Sequence, residues 1–376
     1  MSLSPLAKEN LGQLFIIGLQ GLSLTADEKK YIEQNNIGGI VLFTRNYKDP
    51  EQLFNLCREI QALHRPGGCT SKLFISVDME GGRVARFRAP FTEWPPQATL
   101  GELDLPSISF AFSHALGSEL AAAGINLDFA PCLDIFNNPK NTVIGNRAVG
   151  TSAEVVGKHA SALVRGFIKS GVIPCGKHFP GHGNTLIDSH LDLPIEEATL
   201  ERLNNAELVP FKKAFKSHLD LVMTAHIKFP NIDPHHPGTF SKTILKDILR
   251  DQLRYRGIVI TDDLDMGALA NYYSVADIPV KALAAGCDIL LYCNKPESHM
   301  AALESVKKAL IDGTLASKEI EEKITAIAEF KKKNLRTTEL ATYAEAAKII
   351  GNEDHRALSK AITEKIIPSG MGIQAM

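Results

Sequence analysis

Short runs of apolar residues alternate with longer amphipathic stretches from about residue 14 to residue 334. The short runs are continuous in Val, Ile, Leu and Phe, which is typical of strands covered on both faces. We predict eight such strands, at residues 14–17, 39–43, 73–77, 125–129, 172–176, 219–224, 258–261 and 289–292. Strands separated by helices form parallel βαβ units, so the pattern predicts an α/β protein.

Helix start signals lie between these strands. Each consists of a capping residue followed by acidic residues in the first turn. The four clearest are Thr25 to Glu28, Asp49 to Glu51, Thr151 to Glu154 and Thr199 to Glu201. Eight strand–helix units favour a single closed (β/α)8 barrel of the TIM type. The alternative is an open, doubly wound sheet, but the glycine-rich GxGxxG turn expected after its first strand is missing.

We expect the barrel to occupy residues 1–335. A charged amphipathic helix at 317–333 closes this region. Residues 336–376 are too few to form an independent core, so we predict a short helical extension packed outside the barrel. No second catalytic domain is expected there.

Composition and charge exclude several classes of protein. The chain has 41 basic and 43 acidic residues, a net charge of −2, and no strongly basic face for a nucleic-acid backbone. Residues 1–10 lack the basic and apolar pattern of a signal peptide, and no apolar window is long enough to span a membrane. We therefore expect a cytoplasmic protein with neither a nucleic-acid nor a membrane partner.

Six cysteines are scattered along the chain without CxxC spacing. Several lie inside apolar runs, including Cys175 after Val172 and Ile173. They indicate buried thiols, since the ligand spacings of a zinc site or the pattern of a disulfide framework are absent.

Polar residues follow the apolar runs at the predicted strand ends. Asp78, Lys177, His178, His226 and Asp262 all occupy such positions. In a parallel barrel the carboxyl ends of the strands surround one pocket, which is where barrel enzymes place their catalytic groups. Any one of these residues alone could instead cap a neighbouring helix, but their recurrence after several strands favours a site.

The segment 177–190 carries the densest chemistry, with histidines at 178, 182 and 190. Pro180 and Gly181 prevent the helix that would bring His178 and His182 together on one face, so we expect no metal site. Asp188 and His190 are two residues apart, and the carboxylate can fix the imidazole tautomer and stabilise its protonated form. Such a pair is a proton donor, and Asp262 can supply a carboxylate across the pocket.

These segments together resemble glycoside hydrolase family 3, in particular the β-N-acetylglucosaminidases of the bacterial NagZ type. The resemblance covers about residues 10–335. It rests on five segments in this order and spacing: 77–86, 126–131, 144–147, 177–190 and 261–264. Agreement between motifs and predicted strand ends makes it specific.

The resemblance implies a role for eight residues. Asp262 would be the nucleophile, His190 the general acid/base and Asp188 its support, in a family that departs from the usual pair of carboxylates. The sugar-binding positions would be Asp78, Arg86, Arg147, Lys177 and His178. No cofactor is implied.

Neighbouring polar residues are better explained by structural roles. We expect Glu80, Arg83 and Asp263 to orient loops or pair internally, and His182 to pack within its loop. Two positions depart from the family pattern. Asn184 stands where the family frequently has Asp, and Met79 stands where it usually has a polar residue. We expect these two departures to affect loop dynamics or substrate fit and not the reaction class.

The sequence thus predicts a metal-independent, retaining exo-β-N-acetylglucosaminidase that acts as a monomer. The implied substrate is a small carbohydrate, a terminal β-linked N-acetylglucosamine on a muropeptide of the GlcNAc-anhydroMurNAc type, in cell-wall recycling. Two alternatives stay open. One is a phosphorylase using the same nucleophile, because a histidine repels incoming phosphate less than a second carboxylate would. The other is a non-catalytic sugar-binding barrel.

Overall fold

The computed structural model describes residues 4–65, 72–335 and 342–367 of the 376-residue chain. Cys69 lies outside the described residues, and the five cysteines within them are buried free thiols. The described part contains eleven strands: β1 (Phe15–Gly18), β2 (Gly39–Leu42), β3 (Phe74–Val77), β4 (Met79–Gly81), β5 (Val84–Ala85), β6 (Leu127–Asp128), β7 (Ile173–Pro174), β8 (Gly176–Phe179), β9 (Leu221–Thr224), β10 (Ile258–Asp263) and β11 (Ile289–Tyr292).

Nine of these strands form one parallel sheet in the order β7-β6-β3-β2-β1-β11-β10-β9-β8. The two strands at the ends of this order, β7 and β8, are consecutive pieces of one extended segment interrupted at Cys175. Because β7 pairs with β6 and β8 pairs with β9, the sheet closes on itself. The result is the predicted eight-stranded barrel, with one of its strands in two pieces.

Each predicted strand is present, but two extend more than one residue beyond their predicted ends. β8 ends at Phe179 and β10 ends at Asp263, because both continue to pair with a neighbour beyond an irregularity in register. Lys177, His178 and Asp262 therefore lie within the last residues of strands and not after them. Their backbones are fixed by the barrel itself.

Helices surround the barrel. Their bounds are α1 (Pro5–Asn10), α2 (Ala26–Gln34), α3 (Pro50–Gln61), α4 (Ala98–Leu103), α5 (Pro106–Ala123), α6 (Ala153–Ser170), α7 (Leu200–Asn205), α8 (Leu208–Lys216), α9 (Gly267–Ala270), α10 (Asp277–Ala285), α11 (Pro296–Ile311), α12 (Ser317–Asn334), α13 (Tyr343–Ala346) and α14 (Glu353–Thr363). A π-helix, Thr243–Gln252, connects β9 to β10. Thr25, Asp49 and Thr199 cap their helices as predicted, and α6 is capped by Ser152, within the predicted segment 151–154.

The barrel interior and the helix–sheet interface form one hydrophobic core. Residues of β1, β2, β3, β9 and β11 are all buried, as their unbroken apolar sequence requires. Full burial of one such aliphatic or aromatic side chain stabilises the fold by roughly 1.5–3 kcal/mol. Among the described residues, none of the helices is both long and apolar enough to cross a membrane.

Two elements lie outside the barrel, a hairpin that the sequence did not predict and the helices of the predicted extension. Strands β4 and β5 form a short antiparallel hairpin directly after β3. After α12, helices α13 and α14 pack against α5, and α14 also contacts α4. The hairpin continues from the carboxyl end of β3, where candidate site residues begin.

Candidate active site

Asp78 lies where β3 ends and joins two of the predicted sugar-binding cations. Its Oδ1 accepts a hydrogen bond from Lys177 Nζ at 2.6 Å, and its Oδ2 accepts one from Arg86 Nη2 at 3.2 Å. Arg86 also stacks over the Phe43 ring, at 5.3 Å from the ring centroid. Residues from β3, β8 and the segment after β5 thus meet at one point of the barrel rim.

Glu80 extends this group of charges. The hairpin places its carboxylate against Arg147, which donates from Nε at 2.9 Å and from Nη2 at 2.8 Å. Lys177 Nζ lies 2.7 Å from Glu80 Oε1 as well, so it bridges Asp78 and Glu80. We call Asp78, Glu80, Arg86, Arg147 and Lys177 the charge cluster.

Burial and ion pairing oppose each other within the charge cluster. Burial raises the pKa of the Glu80 carboxyl, but Arg147 and Lys177 more than offset this and lower its pKa to about 2. In the same way Lys177 and Arg86 hold the pKa of Asp78 below its usual range despite burial. Burial lowers the pKa of Lys177, yet the two carboxylates raise it above its ordinary value. Glu80, Asp78 and Lys177 are therefore all charged at neutral pH.

His178 is oriented by a residue that sequence reasoning missed. Asp134 is buried, and its Oδ2 accepts a hydrogen bond from His178 Nδ1 at 2.7 Å. The opposite ring nitrogen, Nε2, lies 3.4 Å from Arg147 Nη2, which can only donate. These partners place the imidazole proton on Nδ1. Asp134 follows β6 within an apolar run, and an acidic residue at such a position is the signal that could have revealed it.

The predicted Asp188–His190 pair is formed. Asp188 Oδ1 accepts hydrogen bonds from His190 Nδ1 at 2.8 Å and from the His190 backbone N–H at 2.9 Å. Burial raises the pKa of the Asp188 carboxyl, but these two bonds more than offset it and lower that pKa. The His190 side chain is 65% exposed, so its Nε2 is free to meet a ligand from solvent.

The loop that carries this pair rests on the element after β10. The backbone N–H groups of Gly267 and Ala268, in α9, donate to the carbonyl oxygens of His190 and Ser189 at 3.2 and 3.1 Å. A Cβ atom at position 267 would come within 2.8 Å of the His190 oxygen, so this approach requires glycine. The contact holds His190 against the helix that follows β10, the strand that carries Asp262.

Asp262 is a partly buried carboxylate whose charge is maintained. Its Oδ1 accepts a hydrogen bond from the Asp263 N–H at 2.8 Å. Burial raises the pKa of its carboxyl, but His178, His226 and His190 lie near enough to lower that pKa. The neighbouring Asp263 accepts from Cys293 N at 3.1 Å instead, and burial raises its pKa to about 6.

The contacts of His182 and Arg83 match the structural roles expected of them, and those of Asn184 add a new observation. His182 is buried between Thr185 Oγ1 at 2.7 Å and Ser189 Oγ at 3.1 Å, and burial lowers its pKa to about 4. Arg83 donates to the backbone oxygen of Thr142 at 2.7 Å. Asn184 donates from Nδ2 to Glu196 Oε2 at 2.7 Å, a contact that the more frequent aspartate could not make while ionised.

His226, two residues beyond the end of β9, contacts the end of β10. Its ring nitrogens contact the Asp263 backbone oxygen at 3.1 Å and Thr239 Oγ1 at 2.7 Å. Within the described ranges, no three His, Cys, Asp or Glu side chains converge as a set of metal ligands.

The charge cluster predicts loss of stability in acid. The folded-state pKa of Glu80 is about 2, below its ordinary 4.5, so its ion pairs stabilise the fold fully above pH 4.5 and are lost as the pH falls towards 2. Asp78 and Asp134 act with the same sign. We expect the free energy of unfolding, measured with urea, to fall across this window by on the order of several kcal/mol.

Two variants test the origin of this acid sensitivity. Glu80→Gln should reduce the slope of unfolding free energy against pH, because it removes one titrating group from the charge cluster. Glu304→Gln, at a side chain that is 71% exposed, should leave the slope unchanged. Equal slopes in the wild type and in both variants would show that Glu80 does not govern the acid limb.

A closed (β/α)8 barrel with charged groups and a solvent-facing Asp–His pair at its carboxyl end has the arrangement of a barrel enzyme that transfers protons. Residues 6–330 match the model described as the glycosyl hydrolase family 3 N terminal domain. The chain therefore belongs to glycosyl hydrolase family 3 and is a glycoside hydrolase, which confirms the predicted fold and family.

Relatives agree with this assignment. The chain is 39% identical over 303 residues to a beta-hexosaminidase of Nitrosomonas eutropha, covering 79% of this chain and 85% of that one. A family 3 beta-N-acetylglucosaminidase from Paenibacillus sp. superposes with a TM-score of 0.89 at 36% identity, over 97% of this chain and 69% of that one. NagZ from Neisseria gonorrhoeae, solved with N-trifluoroacetyl-D-glucosamine, gives 0.76 at 31% identity, over 94% and 98%.

Proposed function

We propose that this chain is a retaining exo-β-N-acetylglucosaminidase. It removes a terminal β-linked N-acetylglucosamine from peptidoglycan-derived muropeptides in the cytoplasm, acting as a monomer and without a metal or cofactor. The observation that carries the proposal is the 2.8 Å contact between Asp188 and His190 on a loop held against the element that follows Asp262. This arrangement supplies a proton donor and a carboxylate nucleophile at one barrel rim.

In the first half-reaction Asp262 attacks the anomeric carbon. A bond forms between its carboxylate oxygen and that carbon, while the bond from the carbon to the leaving oxygen breaks. His190 transfers the Nε2 proton to the leaving oxygen, and Asp188 stabilises the imidazolium form before the transfer. The lowered pKa of Asp262 keeps the nucleophile ionised when His190 is protonated.

In the second half-reaction the roles of His190 reverse. Neutral Nε2 removes a proton from water as the water oxygen attacks the anomeric carbon, and the bond to Asp262 breaks. Two displacements at one carbon return the β configuration. The exposure of His190 supports this role, because the same imidazole must meet both the aglycone and water.

The charge cluster and the adjacent His178 account for recognition of the sugar. Asp78 accepts hydrogen bonds from hydroxyl groups, whereas Arg86, Arg147, Lys177 and His178 serve the sugar oxygens and the 2-acetamido group. Strong pairing within the charge cluster fixes these side chains before substrate arrives, so little ordering is required on binding. The N. gonorrhoeae relative was solved with an N-acylated glucosamine, which supports this substrate class.

Phosphorolysis is the second candidate, and it is favoured by one observation. The exposed group that would activate the second nucleophile is His190, so an incoming phosphate dianion meets an imidazole first, with the Asp188 carboxylate behind it. Phosphate could then replace water in the second half-reaction and give a sugar 1-phosphate.

A single assay separates these possibilities. The protein is incubated with p-nitrophenyl N-acetyl-β-glucosaminide, with and without inorganic phosphate, and the sugar product is identified by mass. We expect free N-acetylglucosamine under both conditions. Accumulation of the 1-phosphate would establish the phosphorylase, and tight sugar binding without release of p-nitrophenol would indicate a sugar-binding barrel.

A further inference from the structure

Helix α14 contacts the barrel through a buried carboxylate on α5. Glu119 is 1% exposed, and its Oε1 accepts a hydrogen bond from His355 Nδ1 at 2.8 Å. The same carboxylate accepts from the backbone N–H of Thr92 at 2.9 Å and from Thr92 Oγ1 at 2.5 Å. Glu119 thus ties α14 to residues 90–96, which we call the bracing segment.

Other contacts hold the bracing segment against α14. Ser359 Oγ donates to the Glu93 carbonyl oxygen at 2.6 Å. The Trp94 ring lies near that of His355, with centroids 6.4 Å apart. The backbone of Gly351 approaches so closely that a Cβ there would lie 1.8 Å from the Pro90 oxygen. The bracing segment therefore cannot move away from α14 without breaking several contacts.

The opposite side of the bracing segment supports the β4–β5 hairpin. The Gly82 N–H donates to the Trp94 carbonyl oxygen at 2.8 Å, and a Cβ at Gly81 would lie 2.5 Å from the Pro95 oxygen. Just beyond the bracing segment, Gln97 Nε2 donates to the Glu80 backbone oxygen at 3.4 Å. This hairpin carries Glu80 and leads directly into Arg86.

We propose that His355 is a positioning residue for the charge cluster, acting through Glu119, Thr92 and the bracing segment. This rests on the proposed function in one respect, that the charge cluster binds the sugar. Without His355 the buried Glu119 carboxylate loses one hydrogen-bond donor. The position of Glu119 relative to Thr92 then changes, and the bracing segment no longer holds the hairpin in a fixed place. A small displacement of groups that bind substrate weakens binding even when the displaced contact lies far from the chemistry.

The test compares variants of the full chain in steady-state turnover of p-nitrophenyl N-acetyl-β-glucosaminide. His355→Ala should raise KM by about five- to twentyfold and change kcat by less than about twofold, because Asp262 and His190 lie outside the braced elements. His355→Asn should restore much of the loss, since its amide nitrogen can replace Nδ1 as the donor to Glu119. Lys360→Ala, at an exposed position of the same helix, serves as the matched control and should resemble the wild type.

Two measurements together distinguish positioning from a general loss of stability. Thermal unfolding gives the folded fraction of each variant, and kinetics give kcat and KM separately. A smaller folded fraction lowers the apparent kcat and leaves KM unchanged, so that pattern in His355→Ala would overturn the proposal. If the wild type releases no p-nitrophenol, the proposed function fails. The effect of His355 is then measured as the Kd for N-acetylglucosamine in a calorimetric titration. His355→Ala should then raise Kd by the same factor, and failure of the wild type to bind the sugar would overturn both.

Discussion

Asp262→Ala should reduce turnover of p-nitrophenyl N-acetyl-β-glucosaminide by about 10⁴-fold or more, because it removes the carboxylate that forms the glycosyl-enzyme. The fold should be nearly unaffected, since the side chain lies at the pocket and its loss opens no cavity in the core. Steady-state kinetics and thermal unfolding measure the two effects separately.

The identity of the nucleophile can be established by trapping. A 2-deoxy-2-fluoro or 5-fluoro glycosyl reagent should label Asp262 in the wild type, and peptide mass mapping should find no label in Asp262→Ala. Asp263→Asn is the adjacent control. Its carboxylate accepts a hydrogen bond from the Cys293 N–H, a structural contact, so labelling at Asp262 should persist in this variant. A label on Asp263 or Glu80 would show that the assignment of the nucleophile is wrong.

Most of the barrel could be predicted from the sequence because its signals are local. Unbroken apolar runs identify strands buried on both faces, and capping residues such as Thr25 and Thr199 identify helix starts. The ends of β8 and β10 were less predictable. Pairing with a neighbouring strand extends each of them over charged residues, and that neighbour is distant in sequence.

The site was predictable only in part, for a similar reason. The Asp188–His190 contact spans two residues, so sequence spacing alone suggests it. The contact of Asp134 with His178 spans 44 residues and that of Glu119 with His355 spans 236. A buried carboxylate must find donors somewhere, but only the folded chain shows which donors those are.

His190→Ala should affect substrates according to their leaving groups. A p-nitrophenolate departs with little protonation, whereas a sugar alkoxide requires a proton, so turnover of a disaccharide should fall far more than first-step cleavage of the aryl glycoside. A loss of about 10²–10⁴-fold is expected for the disaccharide, the usual range of general acid–base catalysis. Single-turnover rates with both substrates are measured across pH for this comparison. The limb of the pH–rate profile that reports the general acid should be absent in the variant.

Azide provides the second half of the same test. It needs no general base, so it should intercept the glycosyl-enzyme of His190→Ala, give the β-glycosyl azide and restore part of the turnover. Asp188→Asn should show a milder form of the same pattern. It keeps the imidazole but removes the negative charge on Asp188 Oδ1, 2.8 Å from His190 Nδ1, that stabilises the protonated form. Equal losses across all leaving groups without azide rescue would assign His190 to sugar positioning. His182 would then be the first residue to test as the proton donor, although its contacts with Thr185 and Ser189 occupy both ring nitrogens in the present arrangement.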